Sequence, residues 1–190
     1  MTTRQELALK TRKHLIESAR DVISQKGFDE TSILDITEKA GVAKGTFYTY
    51  FKSKEEIIEE LIATQFIRFD DKFLNKSLSE KIEEYSSLLL HQIEDPGLNI
   101  CRQWIINNIK PTEPDKIGYD IKSICLILES SKSNGELTSD LPIDILAKNI
   151  ASYYYGLMLS WVMTDGVFNP LDEITSINAF ITNILKPYIK

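Results

Sequence analysis

The chain has 190 residues, of which 43% are hydrophobic and 26% are charged, a composition typical of a globular protein with a sizeable core. Its longest mostly apolar run, residues 151–163, is shorter than the roughly 20 residues that a membrane-spanning helix needs, and we expect no secretory segment in the polar, mixed-charge residues 1–27. Two cysteines, Cys101 and Cys125, are too few for a disulfide framework, so we expect a cytoplasmic protein.

The net charge of −6 is unevenly distributed along the chain. Residues 1–54 contain ten Lys and Arg against seven Asp and Glu, whereas residues 55–190 contain twelve against twenty-one. A DNA-binding protein needs positive charge only on the face that contacts DNA, so this asymmetry suits a basic head on an acidic body. Ordinary variation in composition would also explain so small an excess of positive charge.

The first three predicted helices form an amino-terminal motif. Helix 1 begins with a capping box at Thr3 and ends at Gly27. Ser32 then favours the start of a second helix, and Gly41 its end, because glycine tolerates the left-handed backbone of a helix stop. A short third helix over residues 44–51 follows the turn. This arrangement is typical of helix-turn-helix DNA-binding proteins.

The third helix has one face for the core and one for DNA. Phe47 and Phe51 are spaced i, i+4 and should point to the core. Lys44, at the amino end, offers a charge for phosphate, and Tyr50 lies at the flank of the exposed face. The opposite face carries a glycine, which allows close approach of the backbone, and three hydroxyls for bases or phosphates: Gly45, Thr46, Tyr48 and Thr49.

Residues 10–60 combine motifs that are more specific than a generic helix-turn-helix: Gly27-Phe28, Thr31-Ser32, Asp35-Ile36, Ala40-Gly41-Val42, Lys44-Gly45-Thr46-Phe47-Tyr48, Tyr50-Phe51 and Lys52-Ser53-Lys54-Glu55. This combination resembles the amino-terminal domain of the tetracycline-repressor (TetR) family of bacterial transcription regulators. The resemblance implies an all-α fold of about nine helices, with a three-helix DNA-binding head, residues 1–53, and a larger ligand-binding and dimerisation body, residues 54–190. It also implies these DNA contacts: Thr31, Ser32, Lys44, Gly45, Thr46, Tyr48, Tyr50 and Lys54.

Two positions in the head need a separate explanation. Ala43 stands where the family often has Ser, so a side-chain helix cap is missing. Lys54 lies in the first turn of helix 4, where a positive charge is unfavourable for the helix dipole. That placement is easier to understand if a phosphate lies beside the lysine.

Helix 4 is predicted to run without interruption over residues 54–75. Phe66, Phe69 and Phe73 continue its apolar stripe. At about 1.5 Å per residue the helix would be about 33 Å long, enough to connect the head to the body. We therefore expect this helix, and no flexible segment, to link the two domains.

Five further helices are predicted, over residues 79–94, 98–109, 116–133, 141–165 and 170–188. Residues 124–128 are apolar on every side, so we expect them to be buried. Aromatic and soft side chains in the body suit a pocket for an apolar or planar small molecule, although plain core packing explains each of them singly. The candidates are Phe66, Phe69, Trp104, Tyr119, Tyr153, Tyr154, Met158 and Trp161.

The last two helices carry two patterns that suit a helix-packing interface. Small residues recur every four positions in one row, and apolar residues repeat at spacings of three and four in the other: Ser152, Gly156 and Ser160, then Ile174, Ile177, Ile181, Ile184 and Tyr188. In the TetR family the last two helices pair with their copies in a dimer, and the resemblance implies the same here. Burial of the apolar row within one subunit is the alternative.

No catalytic constellation, metal motif or phosphate-binding loop is evident, so we expect neither an enzyme nor a cofactor. The sequence therefore predicts a ligand-responsive transcriptional regulator, most simply a repressor, that binds a pseudo-palindromic DNA operator as a homodimer and is released by a small molecule. A ligand-independent DNA-binding protein that organises the chromosome or the division machinery is the alternative. An enzyme with an attached DNA-binding head would need a catalytic site that the sequence does not display.

Overall fold

A computed structural model describes residues 3–63, 69–109 and 116–190. In the first of these ranges the side chains described are those of residues 4–61. Within these ranges the fold is all-α, as predicted, with two short 3₁₀ segments, Pro170–Glu173 and Lys186–Tyr188. The ten helices are α1 (Thr3–Lys26), α2 (Ile33–Lys39), α3 (Lys44–Tyr50), α4 (Lys54–Ala63), α5 (Asp71–Leu74), α6 (Leu78–Glu94), α7 (Leu98–Asn108), α8 (Lys116–Ser133), α9 (Ile143–Met163) and α10 (Ile174–Leu185).

The described residues group into two compact units. The first contains residues 3–63 and 96–109, and in it α7 packs against α1 and α4. The second contains residues 69–95 and 116–190. The sequence predicts α7 as part of the larger body, whereas the structure packs it on α1 and α4 in the first unit. The proposed domain boundary after residue 53 stays a prediction.

The first unit buries one apolar face from each of its first four helices. Phe47 and Phe51, which were predicted to point to the core, are 0% and 2% exposed, and their ring centroids lie 5.5 Å apart. Because α3 has only seven residues, burial of these two rings stabilises it more than its own backbone hydrogen bonds can. The other fully buried apolar side chains of α1, α2 and α4 are Leu15, Ala19, Ile23, Ile36, Ile57, Ile58 and Leu61.

The prediction of one uninterrupted helix over residues 54–75 is wrong. Helix α4 is described to Ala63, Phe69 and Asp70 are not helical, and a separate one-turn helix, α5, begins at Asp71. The cause is local, because the Asp70 carboxylate accepts a hydrogen bond of 2.8 Å from the Phe73 backbone N–H. This cap starts a new helix at the point where the apolar stripe suggested that the old one continued.

In the second unit, α6 packs against α10 and α8 packs against α9. Helix α6 begins one residue before its predicted start, because Ser77 and Glu80 form a capping box there. Helix α8 has its predicted bounds, but its central residues are not all buried. Ile124 is 2% exposed whereas Leu126 is 50% exposed, because α9 and α6 cover only one side of α8.

The carboxy-terminal helices start close to where the sequence predicts. Pro142 is the N-cap residue of α9. The Asn169 side chain accepts a hydrogen bond of 2.9 Å from the Leu171 N–H, and Pro170 follows it as predicted. The first turn here is a 3₁₀ segment, and α10 begins only at Ile174. No helix in the described ranges is long and apolar enough to cross a membrane.

Candidate DNA interface and effector site

The start of α2 is fixed by a capping box between Ser32 and Asp35. The Asp35 carboxylate accepts hydrogen bonds from the Ser32 backbone N–H at 2.7 Å and from its hydroxyl at 2.6 Å, and it forms an ion pair of 2.8 Å with Lys26. The Lys26 ammonium, followed by the Ser32 donors, holds the pKa of Asp35 well below its usual range. Ser32 is exposed, as a DNA contact must be, but its hydroxyl is already engaged in the cap.

The turn between α2 and α3 depends on glycine at one position. Gly41 has a φ of +64°, in the left-handed region that side chains with a Cβ rarely adopt. The chain then reverses so that the Val42 N–H donates to the Thr37 carbonyl at 3.0 Å. Thr37 is fully buried, and its hydroxyl donates to the carbonyls of Ile33 and Leu34. The predicted helix-turn-helix geometry therefore rests on local hydrogen bonds and one required glycine.

The outward face of α3 is the face that the sequence analysis predicted for DNA. Tyr48 is 54% exposed, and an added Cβ on Gly45 would meet no atom within 4 Å. Ala43 is the N-cap residue and, as expected, makes no side-chain cap. The remaining predicted contacts on this helix are exposed or half-buried: Lys44, Thr46, Thr49 and Tyr50. The helix thus offers a cation, an open backbone and several hydroxyls on one side.

Two other predicted DNA contacts, Thr31 and Lys54, are engaged within the first unit. Thr31 is 2% exposed, and its hydroxyl donates to the Gly27 carbonyl at 2.6 Å. The Lys54 ammonium donates to the carbonyls of Phe28 at 2.5 Å and Thr31 at 2.7 Å, and it lies 4.0 Å from the centroid of the Phe28 ring. These contacts explain a positive charge at the start of α4 without a phosphate, and they engage both side chains within the first unit.

The predicted effector residues are distributed over both units. Phe66 lies outside the described residues, and Trp104 lies on α7 in the first unit, 5% exposed. In the second unit Phe69 stacks on Phe73 with ring centroids 4.3 Å apart, and Tyr153 stacks on Phe180 at 4.5 Å. Tyr119 is half-buried, and the rest are buried in the second unit: Tyr154, Met158 and Trp161.

A buried polar cluster in the second unit escaped the sequence analysis. Asp120, 2% exposed, accepts hydrogen bonds from the Lys116 ammonium at 2.5 and 2.7 Å and from the Tyr155 hydroxyl at 2.8 Å. Tyr85 on α6 is also 2% exposed. Burial, and then the negative charge of Asp120, raises the pKa of Tyr85 well above its usual value. The i, i+4 spacing of Lys116 and Asp120 was the only sequence signal for this cluster.

A second polar contact links three helices of the same unit. The Tyr154 hydroxyl lies 2.6 Å from the Ser86 hydroxyl, which in turn donates to the Asn178 side-chain oxygen at 2.7 Å. Because the Ser86 hydroxyl uses its proton in the bond to Asn178, the Tyr154 hydroxyl donates to Ser86. Burial raises the pKa of Tyr154. Residues from α6, α9 and α10 are thus held together by hydrogen bonds that satisfy each hydroxyl.

One cleft of about 220 Å³ opens between the start of α6 and the end of α10. Its lining is mainly apolar, with Leu78, Ile82 and Leu185 among its residues. It contains none of the predicted effector residues.

The described residues contain no group of His, Cys, Asp and Glu that could hold a metal ion. Burial raises the pKa of the Cys101 thiol to about 12.

The apolar row predicted for the dimer interface is partly buried within one chain. Ile177 and Ile181 are 0% and 3% exposed, because α10 packs against α6. This burial favours packing within one subunit for these two side chains, and their assignment to an intersubunit interface stays a prediction. Ile174, Ile184 and Tyr188 are half-buried. The small-residue row of α9 is exposed on the single chain: Ser152, Gly156 and Ser160.

Comparisons with known proteins place these features in a family. Residues 15–61, which span the second half of α1, all of α2 and α3 and most of α4, match the family model described as "Bacterial regulatory proteins, tetR family". The fatty acid metabolism regulator protein of Bacillus subtilis is 28% identical over 164 residues, which cover 80% of this chain and 83% of that protein. A probable acrEF/envCD operon repressor of Escherichia coli K12 is 24% identical over 96% of this chain and 88% of that protein.

A solved structure supports the same fold. Native TylP, a TetR regulator from Streptomyces fradiae, superposes with a TM-score of 0.64 at 20% identity, over 96% of this chain and 88% of that chain. The family-specific match falls on the helix-turn-helix, and the similarity to regulators extends over the remaining helices. Residues 15–61 therefore carry the DNA-binding motif of TetR-family transcription regulators, and the similarity to regulators with such names extends over most of the chain.

Proposed function

We propose that the protein is a cytoplasmic repressor that binds a pseudo-palindromic operator as a homodimer and releases it when a small molecule binds. The observation that carries this proposal is the outward face of α3, where Lys44, Gly45 and Tyr48 are exposed together. A cation can contact phosphate, whereas hydroxyls and an open backbone can approach base edges in the major groove. Repression agrees with the name of the Escherichia coli relative, an operon repressor.

The proposed DNA interface is narrower than the one taken from the family resemblance. It consists of the exposed or half-buried residues of α3, with Ser32 at the start of α2: Ser32, Lys44, Gly45, Thr46, Tyr48, Thr49 and Tyr50. In a dimer two such faces would enter successive major grooves, about 34–36 Å apart. The head, residues 1–53, would carry this interface, and residues 54–190 would carry dimerisation and effector binding.

The proposed dimer forms through the exposed faces of α9 and α10. Gly156 and its neighbours in the small-residue row would let a helix of the partner approach closely. Leu159 and Met163, 43% and 75% exposed, extend this row with apolar surface that a partner subunit would cover. The proposed effector would bind in the second unit, where Phe69, Tyr119 and Tyr154 supply aromatic surface.

A binding experiment tests the recognition surface. The operator is first selected from a random DNA pool with the purified protein, and its affinity is then measured at several salt concentrations. Lys44→Met should weaken binding and reduce the salt slope by about 1 per subunit, because one phosphate contact is lost. It should leave the melting midpoint unchanged, because the Lys44 side chain is exposed.

Lys54→Met is the matched control, since it removes the same charge from a lysine that is engaged within the fold. It should lower the melting midpoint by several degrees, because the Phe28 and Thr31 carbonyls lose a charged donor, and it should retain the salt slope. An unchanged salt slope for Lys44→Met would contradict the proposed surface. Binding at many genomic sites with no response to any small molecule would favour the ligand-independent alternative.

A further inference from the structure

The Tyr85 hydroxyl is a buried polar group without a hydrogen-bond partner. Its side chain lies on α6 and is 2% exposed, and its oxygen meets no donor or acceptor among the described residues. Most buried hydroxyls in folded proteins are hydrogen-bonded, because an unpaired one destabilises the folded state. Nearby Tyr154 follows this rule, since its hydroxyl donates to Ser86 at 2.6 Å. The unpaired Tyr85 hydroxyl is therefore an exception to this rule within the same unit.

The surroundings of Tyr85 are aromatic. Its ring centroid lies 6.0 Å from that of Tyr154, in an edge-to-face arrangement, and 6.1 Å from that of Phe69. Phe69 itself stacks on Phe73. A molecule that reached the Tyr85 hydroxyl would lie against these rings, which favour a planar or apolar body.

The charges close to Tyr85 are balanced. Both oxygens of Asp120 accept from the Lys116 ammonium, and one also accepts from the Tyr155 hydroxyl. This carboxylate contributes to keeping Tyr85 protonated, so the hydroxyl is available as a donor. A buried anionic ligand would be repelled by Asp120, and a buried cationic ligand would be repelled by Lys116. Neither ligand would find an opposite charge that is not already paired. An uncharged ligand avoids both costs.

We propose that Tyr85 donates a hydrogen bond to an uncharged acceptor, a carbonyl or ether oxygen, on a planar or apolar effector. The inference rests on the proposed effector response and gives it a chemical class and a specificity-determining residue. The site holds its donor unpaired in the ligand-free protein and satisfies it only when the effector is bound. Molecules that lack the acceptor would leave the hydroxyl unpaired and so bind less well.

The stability of the ligand-free protein gives the first test. Tyr85→Phe keeps the ring and removes the unpaired hydroxyl, so it should raise the melting midpoint by about 2–4 °C. Tyr154→Phe is the matched control, because it removes a hydroxyl that is hydrogen-bonded and should lower the midpoint. An equal or lower midpoint for Tyr85→Phe would mean that an internal water pairs this hydroxyl, and it would overturn the proposal.

Ligand binding gives the second test, with three probes that share a naphthalene body. These are the neutral ketone 2-acetonaphthone, its apolar match 2-isopropenylnaphthalene and the anionic 2-naphthoate, titrated calorimetrically into the full chain. The ketone should bind about tenfold more tightly than the other two, and Tyr85→Phe should abolish that preference. Equal affinities, tighter binding of naphthoate, a preference retained in Tyr85→Phe, or no ketone binding up to saturation would each overturn the proposal.

Operator release separates this inference from the proposed function. If the ketone shows the expected order of affinities and also releases the operator, both are supported. Ketone binding in that order with unchanged operator affinity would uphold the role of Tyr85 and contradict the effector response. Operator release by naphthoate alone would uphold the effector response and contradict the role of Tyr85.

Discussion

At the scale of single residues, two glycines in the helix-turn-helix have opposite requirements. Gly41 needs its positive φ of +64°, whereas Gly45 lies in α3 with no atom within 4 Å of an added Cβ. Gly45→Ala should therefore raise the melting midpoint by about 1–3 °C, because alanine favours helix by up to about 1 kcal/mol. It should also weaken operator binding at least tenfold, since the proposed interface needs close approach of the backbone.

Gly41→Ala is the matched control for Gly45→Ala. It should lower the melting midpoint, because a Cβ in the left-handed region costs about 1–2 kcal/mol. Thermal denaturation and an operator titration on both variants separate the two effects. A Gly45→Ala protein that is both more stable and equally tight on DNA would show that the α3 backbone does not approach DNA closely.

The Asp35 carboxylate should make the stability of the first unit depend on acid pH. Its pKa is lowered in the folded state by Lys26 and Ser32, so its contribution is fully present above the unfolded value, about 3.9. That contribution is lost as the pH falls through the lower folded value. Between pH 5 and pH 2 the melting midpoint should therefore fall more steeply for wild type than for Asp35→Asn. Parallel pH profiles for the two proteins would contradict this linkage.

The sequence predicts single residues well where the determining contacts are local. The exposure of Tyr48 and the burial of Phe47 follow from the 100° rotation per residue within α3. The structural role of Lys54 was not predictable in this way, because its carbonyl acceptor in Phe28 is 26 residues away. The electrostatic effect of Asp120 on Tyr85 likewise arises only through the packing of α6 against α8.

At the scale of helices, starts were easier to predict than continuity. Ser32 and Asn169 cap the elements that follow them, because a side-chain cap needs only the next few residues. The break before α5 was missed because Phe69 and Phe73 keep a helical spacing across it. Only the direction of the Asp70 carboxylate, which caps the Phe73 N–H, distinguishes a new helix from a continued one.

Helix α10 shows a second limit of sequence patterns. Its apolar repeat at spacings of three and four fits packing against any helix, within the subunit or across an interface. The structure pairs it with α6, and the hydrogen bond from Ser86 to Asn178 joins residues 92 positions apart. A pattern on one helix carries no information about a partner that distant, so the repeat alone could not choose between the two kinds of packing.

At the scale of the whole molecule, the proposed dimer determines how many recognition helices meet the operator. A glutamate introduced into the exposed row of α9 and one introduced into the buried row of α10 should have different effects on folding. Gly156→Glu places a charge on a face that is open in the single chain, so it should give folded monomers. These monomers should contact one half-site only, with much weaker operator binding and about half the salt slope of the dimer.

Ile177→Glu is the matched control, because it places the same charge on a side chain that is 0% exposed between α10 and α6. It should unfold the second unit, with a cost of several kcal/mol for an unpaired buried charge, and so lose helical circular dichroism along with assembly. Sedimentation velocity and circular dichroism on both proteins decide the matter. A Gly156→Glu protein that remains dimeric would exclude the small-residue row of α9 from the dimer interface. A folded, monomeric Ile177→Glu protein would show that the apolar row of α10 belongs to that interface.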